Sequence, residues 1–357
     1  MIRDEYSPFK IIHHSELIET FRKGKEPNPI QVHFVPTNRC NQRCSFCSYR
    51  MKGYSSAEQF DERDHIPQDK CLSLLNSMAK LGVKAIQFTG GGEPLVHEGI
   101  KEMFDVCVER QMEIALVTNG VNLKGDLLPV LGTHASWVRV SLDAGTSETY
   151  AKIRRVPEKQ FSAVLNNIKE LAGFKSSLCR LGVGFVVTKD NCSEIYQAAH
   201  MVKELGVDNF RISALFSPEG ASYFTQEEKH TIHDECMRVV RELGDERFTV
   251  FNLFDARQSD LDTKSPQYTF CPMKSLVPYL AADMNVYTCC ILAYNKQGLI
   301  GSVREQDFNE LWNSEGKKKM FARHNPLLHC KSPCMFDKKN DFINYCIKKD
   351  PLHINYI

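Results

Sequence analysis

Three cysteines lie within eight residues near the start of the chain, in a segment that we call the cysteine loop (residues 40–47). Cys40, Cys44 and Cys47 have the spacing Cys-x3-Cys-x2-Cys. Three thiolates can ligate three irons of a [4Fe–4S] cluster and leave the fourth iron without a protein ligand. A structural zinc site is normally closed by a fourth cysteine or histidine, and the cysteine loop contains neither. His33 precedes the loop and leaves a Cys3His zinc site as an alternative, but the spacing favours an iron–sulfur cluster with one open iron.

A second group of cysteines follows in the last quarter of the chain. The sequence has 14 cysteines in 357 residues, and its N-terminus lacks the apolar core of a signal peptide. We therefore expect a reducing, cytoplasmic location, where clustered cysteines are metal ligands or reactive thiols rather than disulfides. The six cysteines of this group are Cys271, Cys289, Cys290, Cys330, Cys334 and Cys346.

The sequence from about residue 31 to residue 253 alternates β-branched runs with amphipathic helical segments, which is typical of a parallel sheet built from βα units. The cysteine loop follows the first run directly, so it is expected at the carboxyl end of the sheet, where α/β folds place their chemistry. Six strands are predicted, with RFTVFNL (247–253) as a candidate closing strand. The six runs are QVHFVPT, KAIQFTG, EIALVTNG, WVRVSLD, RLGVGFVVTK and NFRISALF.

Composition narrows the class of function. The chain is 42% hydrophobic and 25% charged, with a formal net charge of +1. It has neither a basic surface signal nor an apolar run of the roughly 20 residues that a membrane helix needs, so we expect no nucleic-acid or membrane partner. After about residue 255 the βα rhythm stops, and ARQSDLDTKSPQ is predicted to be a polar linker. The predicted units are an N-terminal extension (1–30), the βα region (31–254) and a cysteine-rich region (255–357).

The order of these motifs resembles that of the radical S-adenosylmethionine (SAM) enzymes. Their signature is Cys-x3-Cys-x-aromatic-Cys, and the aromatic residue here is Phe46. The resemblance implies a partial (βα)6 TIM-type barrel, a SAM-binding [4Fe–4S] cluster held by the cysteine loop, and SAM itself. It also implies that FTGGGEP, which ends the second strand, meets the methionyl amino group through Gly91, Gly92 and Glu93. Glycine suits that position because a ligand must approach the main chain closely.

The same resemblance assigns further SAM contacts at the strand ends. Asn119 ends the third strand in VTNG, and Ser141 ends the fourth in VSLDA. Ser141 is implied to lie near the ribose hydroxyls. Arg154 is implied to pair with the methionyl carboxylate, because a guanidinium fork matches a carboxylate. Val187 and Leu215 are implied to flank the adenine. For single residues the alternatives are structural: a turn or capping role for Ser141, a solvated helix position for Arg154, and core packing for the two apolar residues.

The cysteine-rich region resembles the SPASM and twitch extensions of this family, which hold auxiliary iron–sulfur clusters. Six cysteines are too few for two fully ligated cubes, so one auxiliary [4Fe–4S] cluster is predicted. The chain departs from the family pattern at Met284, where glycine is usual, and in the spacing of the last ligand pair. A zinc knuckle is the alternative. The predicted ligands, which we call the auxiliary cysteines, are Cys271, Cys289, Cys330 and Cys334, with Cys290 and Cys346 as possible replacements.

The resemblance implies an oxidoreductase that cleaves SAM reductively to a 5′-deoxyadenosyl radical and abstracts hydrogen from a substrate carbon. The auxiliary cluster would relay the electron, and flavodoxin or ferredoxin would supply the reductant. Fewer than about 30 residues precede the first strand, which tilts the prediction from a peptide towards a sugar, nucleoside or aminocyclitol. The alternatives are a peptide or protein maturase, an epimerase in which a thiol such as Cys192 returns hydrogen, and a non-enzymatic metal-binding protein.

Overall fold

The computed structural model describes residues 7–51, 58–262, 266–330 and 333–348. Ten strands within these ranges form a single sheet. The strands are β1 (Gln31–Phe34), β2 (Ala85–Phe88), β3 (Glu113–Thr118), β4 (Ala135–Ser141), β5 (Arg180–Val187), β6 (Asn209–Ala214), β7 (Thr249–Asn252), β8 (Tyr279–Leu280), β9 (Asn285–Tyr287) and β10 (Leu299–Ser302). Their order across the sheet is β10-β9-β8-β1-β2-β3-β4-β5-β6-β7.

Helices connect the strands and surround the sheet. In the βα region they are α1 (Ser15–Arg22), α2 (Gln68–Leu81), α3 (Ile100–Glu109), α4 (Leu127–His134), α5 (Ser147–Arg154), α6 (Lys159–Phe174), α7 (Ile195–Glu204) and α8 (Gln226–Leu243). After β7 they are α9 (Phe254–Asp262), α10 (Met273–Leu276), α11 (Phe308–Asn313), α12 (Glu315–Arg323), α13 (Pro326–His329) and α14 (Asp337–Cys346).

The predicted βα architecture is confirmed. Strands β1 to β7 pair in parallel in chain order, so all their carboxyl ends meet at one edge. The amphipathic helices turn their apolar faces inward, and Cys71 on α2 and Cys107 on α3 are fully buried. The sheet therefore holds the cysteine loop and the ends of the following strands at one rim.

The sheet continues beyond β1 into the cysteine-rich region. Strand β8 pairs in parallel with β1, and β9 and β10 follow antiparallel. Strands β8 and β9 therefore form a hairpin. Met284 adopts a left-handed conformation in its turn, with φ of 59°. That conformation explains why glycine is usual at this position, since a side chain is strained there.

The predicted linker at 256–267 is wrong in part, because α9 extends to Asp262. Arg257 and Asp260 form an i, i+3 ion pair of 2.9 Å on this helix, and the buried side chains of Phe254 and Leu261 anchor it. The polar composition of this segment concealed a helix that two buried apolar side chains hold in place. The N-terminal extension forms a 3-10 helix and α1, which pack with α14 in one apolar cluster. Within the described residues, no helix combines the length and the apolarity that crossing a bilayer requires.

Candidate active site and auxiliary metal centre

The end of α5 holds the cysteine loop in place through hydrogen bonds. The main-chain N–H of Ser45 donates to the carbonyl of Ile153 at 2.8 Å, and that of Arg43 donates to the carbonyl of Arg154 at 3.2 Å. These carbonyls lie in the last turn of α5, where intrahelical donors run out. The Gln42 amide extends the contact by donating to the Tyr150 hydroxyl at 2.7 Å. The loop conformation is therefore fixed by main-chain bonds to a neighbouring helix.

The three loop cysteines are free and partly exposed. Burial raises the pKa of the Cys40 thiol to about 11, and burial also raises the pKa of Cys47. Thiols with raised pKa values stay protonated at neutral pH unless a cation stabilises the thiolate. Cys40 and Cys47 are therefore poorly suited to act as free nucleophiles.

Arg154 reaches this loop from α5. Its guanidinium donates to the Cys44 sulfur at 3.2 Å and to the Ser141 carbonyl at 2.7 Å, and it forms an ion pair with Asp143. Only 4% of the residue is exposed, so the alternative of a solvated helix position is wrong. Its Nε atom is buried and makes no hydrogen bond within the described part of the chain. One donor of a buried cation is thus available beside the cysteine loop.

Asp143 is a site residue whose role the sequence did not reveal. It is buried in a left-handed conformation, with φ of 59°, and accepts the Val186 N–H at 2.6 Å. Aspartate tolerates this conformation better than most residues. An acidic residue at a strand tip, followed by an arginine in the next helix, is a signal that could have suggested the pair with Arg154.

Glu93 joins the glycine-rich segment to the end of β3. Its buried carboxylate accepts hydrogen bonds from the Thr118 hydroxyl at 2.6 Å and from the Asn119 and Leu95 N–H groups at 2.6 and 3.1 Å. Burial raises the pKa of Glu93, and these hydrogen bonds oppose that shift. The side chain therefore braces two strand ends, a role additional to the implied contact with SAM.

The glycines before Glu93 lie against the chain itself. A Cβ atom on Gly92 would come within 2.3 Å of the Arg39 carbonyl oxygen, and one on Gly91 within 2.4 Å of the Phe60 ring. The Glu93 N–H also donates to the Arg39 carbonyl at 2.9 Å. Close approach of the main chain at Arg39 is therefore sufficient to require glycine at position 92, whereas the crowding at position 91 comes from the side chains of Phe60 and Asn38.

The other residues that were predicted to contact SAM differ in how deeply they are buried. The Asn119 amide donates to Asn41 at 2.6 Å and so touches the cysteine loop. Ser141 is half-buried and contributes its carbonyl to Arg154. Val187 is fully buried, as the core-packing alternative requires.

A pocket of about 370 Å³ opens beside the cysteine loop and contains Phe46 and Leu215 in its lining. Thr188 also lines it, with a buried hydroxyl that has no hydrogen-bond partner among the described residues. Cys192 is not one of its lining residues; its sulfur lies 3.7 Å from the Lys189 carbonyl.

A contact missed by the sequence reasoning ties the cysteine loop to the cysteine-rich region. The buried Tyr294 hydroxyl donates to the Asn38 amide oxygen at 2.5 Å, and the Tyr49 and Tyr279 hydroxyls lie 2.7 Å apart. These partners are more than 200 positions apart, so no local pattern could indicate them. They hold the residues that flank the cysteine loop on either side in the sequence.

The structure brings the four auxiliary cysteines together. Burial raises the pKa of Cys271, and the nearby sulfurs of Cys334, Cys289 and Cys330 raise it further. Cys290 is close to two of the same sulfurs. Cys346 lies elsewhere, at the end of α14, where its carbonyl accepts two hydrogen bonds from Arg22 at 2.7 and 3.1 Å. Residues 331 and 332, inside the unusual Cys-x3-Cys spacing, lie outside the described residues.

Comparison with known protein families identifies both regions. Residues 34–201 match the Radical SAM superfamily. Residues 271–343 match SPASM, an iron–sulfur cluster-binding domain. This chain is a radical SAM protein with a SPASM domain. The two domains imply a SAM-binding [4Fe–4S] cluster, SAM, and auxiliary iron–sulfur binding in the cysteine-rich region.

Several characterised relatives share parts of this radical SAM protein. GTP 3′,8-cyclase from Aquifex aeolicus is 34% identical over 176 residues, which are 48% of this chain and 52% of the cyclase. A tungsten-containing aldehyde ferredoxin oxidoreductase cofactor-modifying protein from Pyrococcus furiosus is 24% identical over 310 residues, 78% of this chain and 79% of the relative. A SAM-dependent nucleotide dehydratase from Lacinutrix mariniflava is 29% identical over 140 residues, which are 39% of this chain and 29% of the dehydratase. The chain thus spans about half the length or less of most of these relatives.

Solved structures share the fold over nearly the whole radical SAM protein. SuiB of Streptococcus suis, solved with its precursor peptide SuiA, superposes with a TM-score of 0.64. The superposition covers 98% of this chain and 81% of SuiB at 14% sequence identity. At this identity the likeness establishes the common fold alone.

Proposed function

We propose that this radical SAM protein abstracts a hydrogen atom from a carbon of a small molecule, and that the auxiliary cluster, when bound, would accept the electron that the resulting substrate radical loses on oxidation. When bound, the reduced cluster and SAM supply a 5′-deoxyadenosyl radical. Cys40, Cys44 and Cys47 would hold the SAM-binding cluster, and the four auxiliary cysteines would hold the second. The protein positions these groups, tunes them and excludes water.

The position of Arg154 carries this proposal. The guanidinium contacts the Cys44 sulfur, and its buried Nε donor has no partner among the described residues. A buried donor left without a partner is unfavourable, and a charged acceptor such as the methionyl carboxylate would satisfy it. The adjoining pocket supports the same assignment. Its apolar lining by Phe46 and Leu215 suits an adenosine group, as does the Thr188 hydroxyl, which has no partner in the part of the chain that the structure describes.

The proposal of a small-molecule substrate rests on the relatives named above, whose names refer to GTP, a nucleotide or a cofactor. A peptide substrate is the competing possibility, since an antilisterial bacteriocin subtilosin biosynthesis protein of Bacillus subtilis is 28% identical over 199 residues. The wider alignment of the Pyrococcus furiosus cofactor-modifying protein, 78% of this chain, favours the small molecule.

The test is anaerobic reconstitution followed by an assay for 5′-deoxyadenosine with SAM and a chemical reductant. The variant with alanine at Cys40, Cys44 and Cys47 should lose about half of roughly eight bound irons and all SAM cleavage, because one cube loses its ligands. Continued cleavage by this variant would contradict the radical assignment.

The substrate class is tested with an extract from cells grown on deuterated medium. The low-molecular-mass fraction should transfer deuterium into 5′-deoxyadenosine, since hydrogen is taken directly from the substrate carbon. The peptide and protein fraction serves as the matched control. Deuterium transfer from that fraction alone would contradict the small-molecule proposal.

A further inference from the structure

A fully buried amide lies between two of the auxiliary cysteines. Asn340 on α14 has no solvent exposure. Its Oδ1 atom accepts the Met273 main-chain N–H at 3.1 Å and lies 3.6 Å from the Cys271 sulfur. Because the main-chain donor needs an acceptor, it fixes which end of the amide is oxygen. The Nδ2 end of Asn340 must then face the opposite side, towards Cys334.

The Nδ2 end begins a directional chain of hydrogen bonds. Asn340 Nδ2 donates to the Tyr268 hydroxyl oxygen at 2.9 Å and lies 3.9 Å from the Cys334 sulfur. The Tyr268 oxygen therefore acts as acceptor, and its proton is directed to the Cys334 sulfur at 3.5 Å. A buried amide thus orients a phenolic hydroxyl onto one predicted ligand sulfur.

One other group competes for the same proton. The Asp337 carboxyl lies close to the Tyr268 hydroxyl: burial raises the pKa of Asp337, and the tyrosine hydroxyl lowers it.

A cluster gains negative charge when it is reduced, and a hydrogen bond strengthens as its acceptor becomes more negative. Reduction would therefore strengthen the bond from Tyr268 to Cys334.

We propose that Tyr268, oriented by Asn340, raises the reduction potential of the auxiliary cluster by donating a hydrogen bond to the Cys334 sulfur. Donors to ligand sulfur stabilise the reduced cluster more than the oxidised one, so they make the potential less negative. Both are positioning residues, since neither is proposed to touch substrate. The inference rests on the proposed function, in which Cys334 is a cluster ligand.

The test is a redox titration followed by electron paramagnetic resonance, using full-length protein with alanine at the three loop cysteines so that only the auxiliary cluster gives a signal. Tyr268→Phe keeps the ring and removes the hydroxyl, and should shift the midpoint potential to a more negative value at unchanged iron content. Asn340→Asp can still accept the Met273 N–H but offers no donor to Tyr268, and should shift it in the same direction. Tyr345→Phe is the matched control, because Tyr345 is 59% exposed on the same helix.

The outcomes distinguish the tuning role of Tyr268 from the presence of the auxiliary cluster. An iron-loaded Tyr268→Phe protein with the parental potential, or with a less negative one, would overturn the tuning role and leave the cluster assignment standing. Absence of iron from the parent of this series would instead contradict the auxiliary cluster itself, and the tuning role with it. A shift as large in Tyr345→Phe would also overturn the proposal, because that hydroxyl does not contact the auxiliary cysteines.

Discussion

Replacing Arg154 by methionine should separate a structural from a ligand-binding role of the guanidinium. Two of its nitrogens already serve Cys44, Ser141 and Asp143, so only Nε is available to SAM. One hydrogen bond between charged groups contributes about 1.5–3 kcal/mol. We therefore expect the Kd for SAM to rise roughly 10- to 150-fold, measured by equilibrium dialysis of the anaerobic, reconstituted protein.

The same substitution leaves Asp143 as an unpaired buried charge, which should lower the free energy of unfolding by about 3–5 kcal/mol. The double variant Asp143→Asn/Arg154→Met is the control. Its neutral amide can still accept the Val186 N–H, and asparagine tolerates the left-handed conformation at position 143. The double variant should recover melting temperature and still bind SAM weakly. If SAM affinity recovers together with stability, or never falls in Arg154→Met, the guanidinium does not bind the ligand.

Other buried contacts give predictions about stability. Glu93→Gln should cost about 1–3 kcal/mol in thermal unfolding, since an amide cannot accept from all the donors, including the Asn119 N–H, that the carboxylate serves; a wild-type melting temperature would show the brace to be dispensable. Tyr294→Phe leaves the Asn38 amide oxygen without its buried donor and should cost about 1–3 kcal/mol in the same assay, whereas an unchanged value would contradict the contact. Burial lowers the pKa of His324 from 6.5 to about 4, so its neutral form favours the folded state above pH 6.5, and this contribution is lost as pH falls from 6.5 towards 4. His324→Gln should flatten the wild-type fall in melting temperature over this range, and an equally steep fall would exclude His324 as its source.

Local sequence patterns predicted the parts of the fold that depend on local interactions. Strands β1 to β7 could be read from β-branched runs, because each is a buried parallel strand of nearly continuous apolar character. The presence of amphipathic helices between these strands followed from helical periodicity. Helix α9 was missed, because its polar composition outweighed two apolar anchors. The pairing of β8 with β1 joins residues about 245 positions apart, as in His33 with Tyr279, and no local signal records it.

The cysteines that could ligate a metal were predictable from the sequence, whereas the hydrogen bonds that hold the site residues in place were not. The spacing of the cysteine loop indicates a metal centre whatever lies around it. Asp143, Tyr294 and Asn340 have ordinary residue types, and they become informative only when folding brings them to Arg154, Asn38 and Cys334 respectively. Their roles depend on hydrogen bonds between segments, which composition and periodicity do not encode.

The continuation of the sheet through β8 has a consequence for engineering this protein by truncation. The β1 segment gives main-chain hydrogen bonds to the cysteine-rich region, from His33 to the Pro278 carbonyl at 3.0 Å and from Val35 to the Leu280 carbonyl at 2.9 Å. A chain cut near residue 255 would leave that side of β1 as a bare, apolar strand edge, which pairs readily with a second molecule. Such a fragment should self-associate rather than behave as a minimal barrel. The region with the auxiliary cysteines therefore also completes the sheet, and exchange of modules between relatives would have to carry β8 along with the barrel.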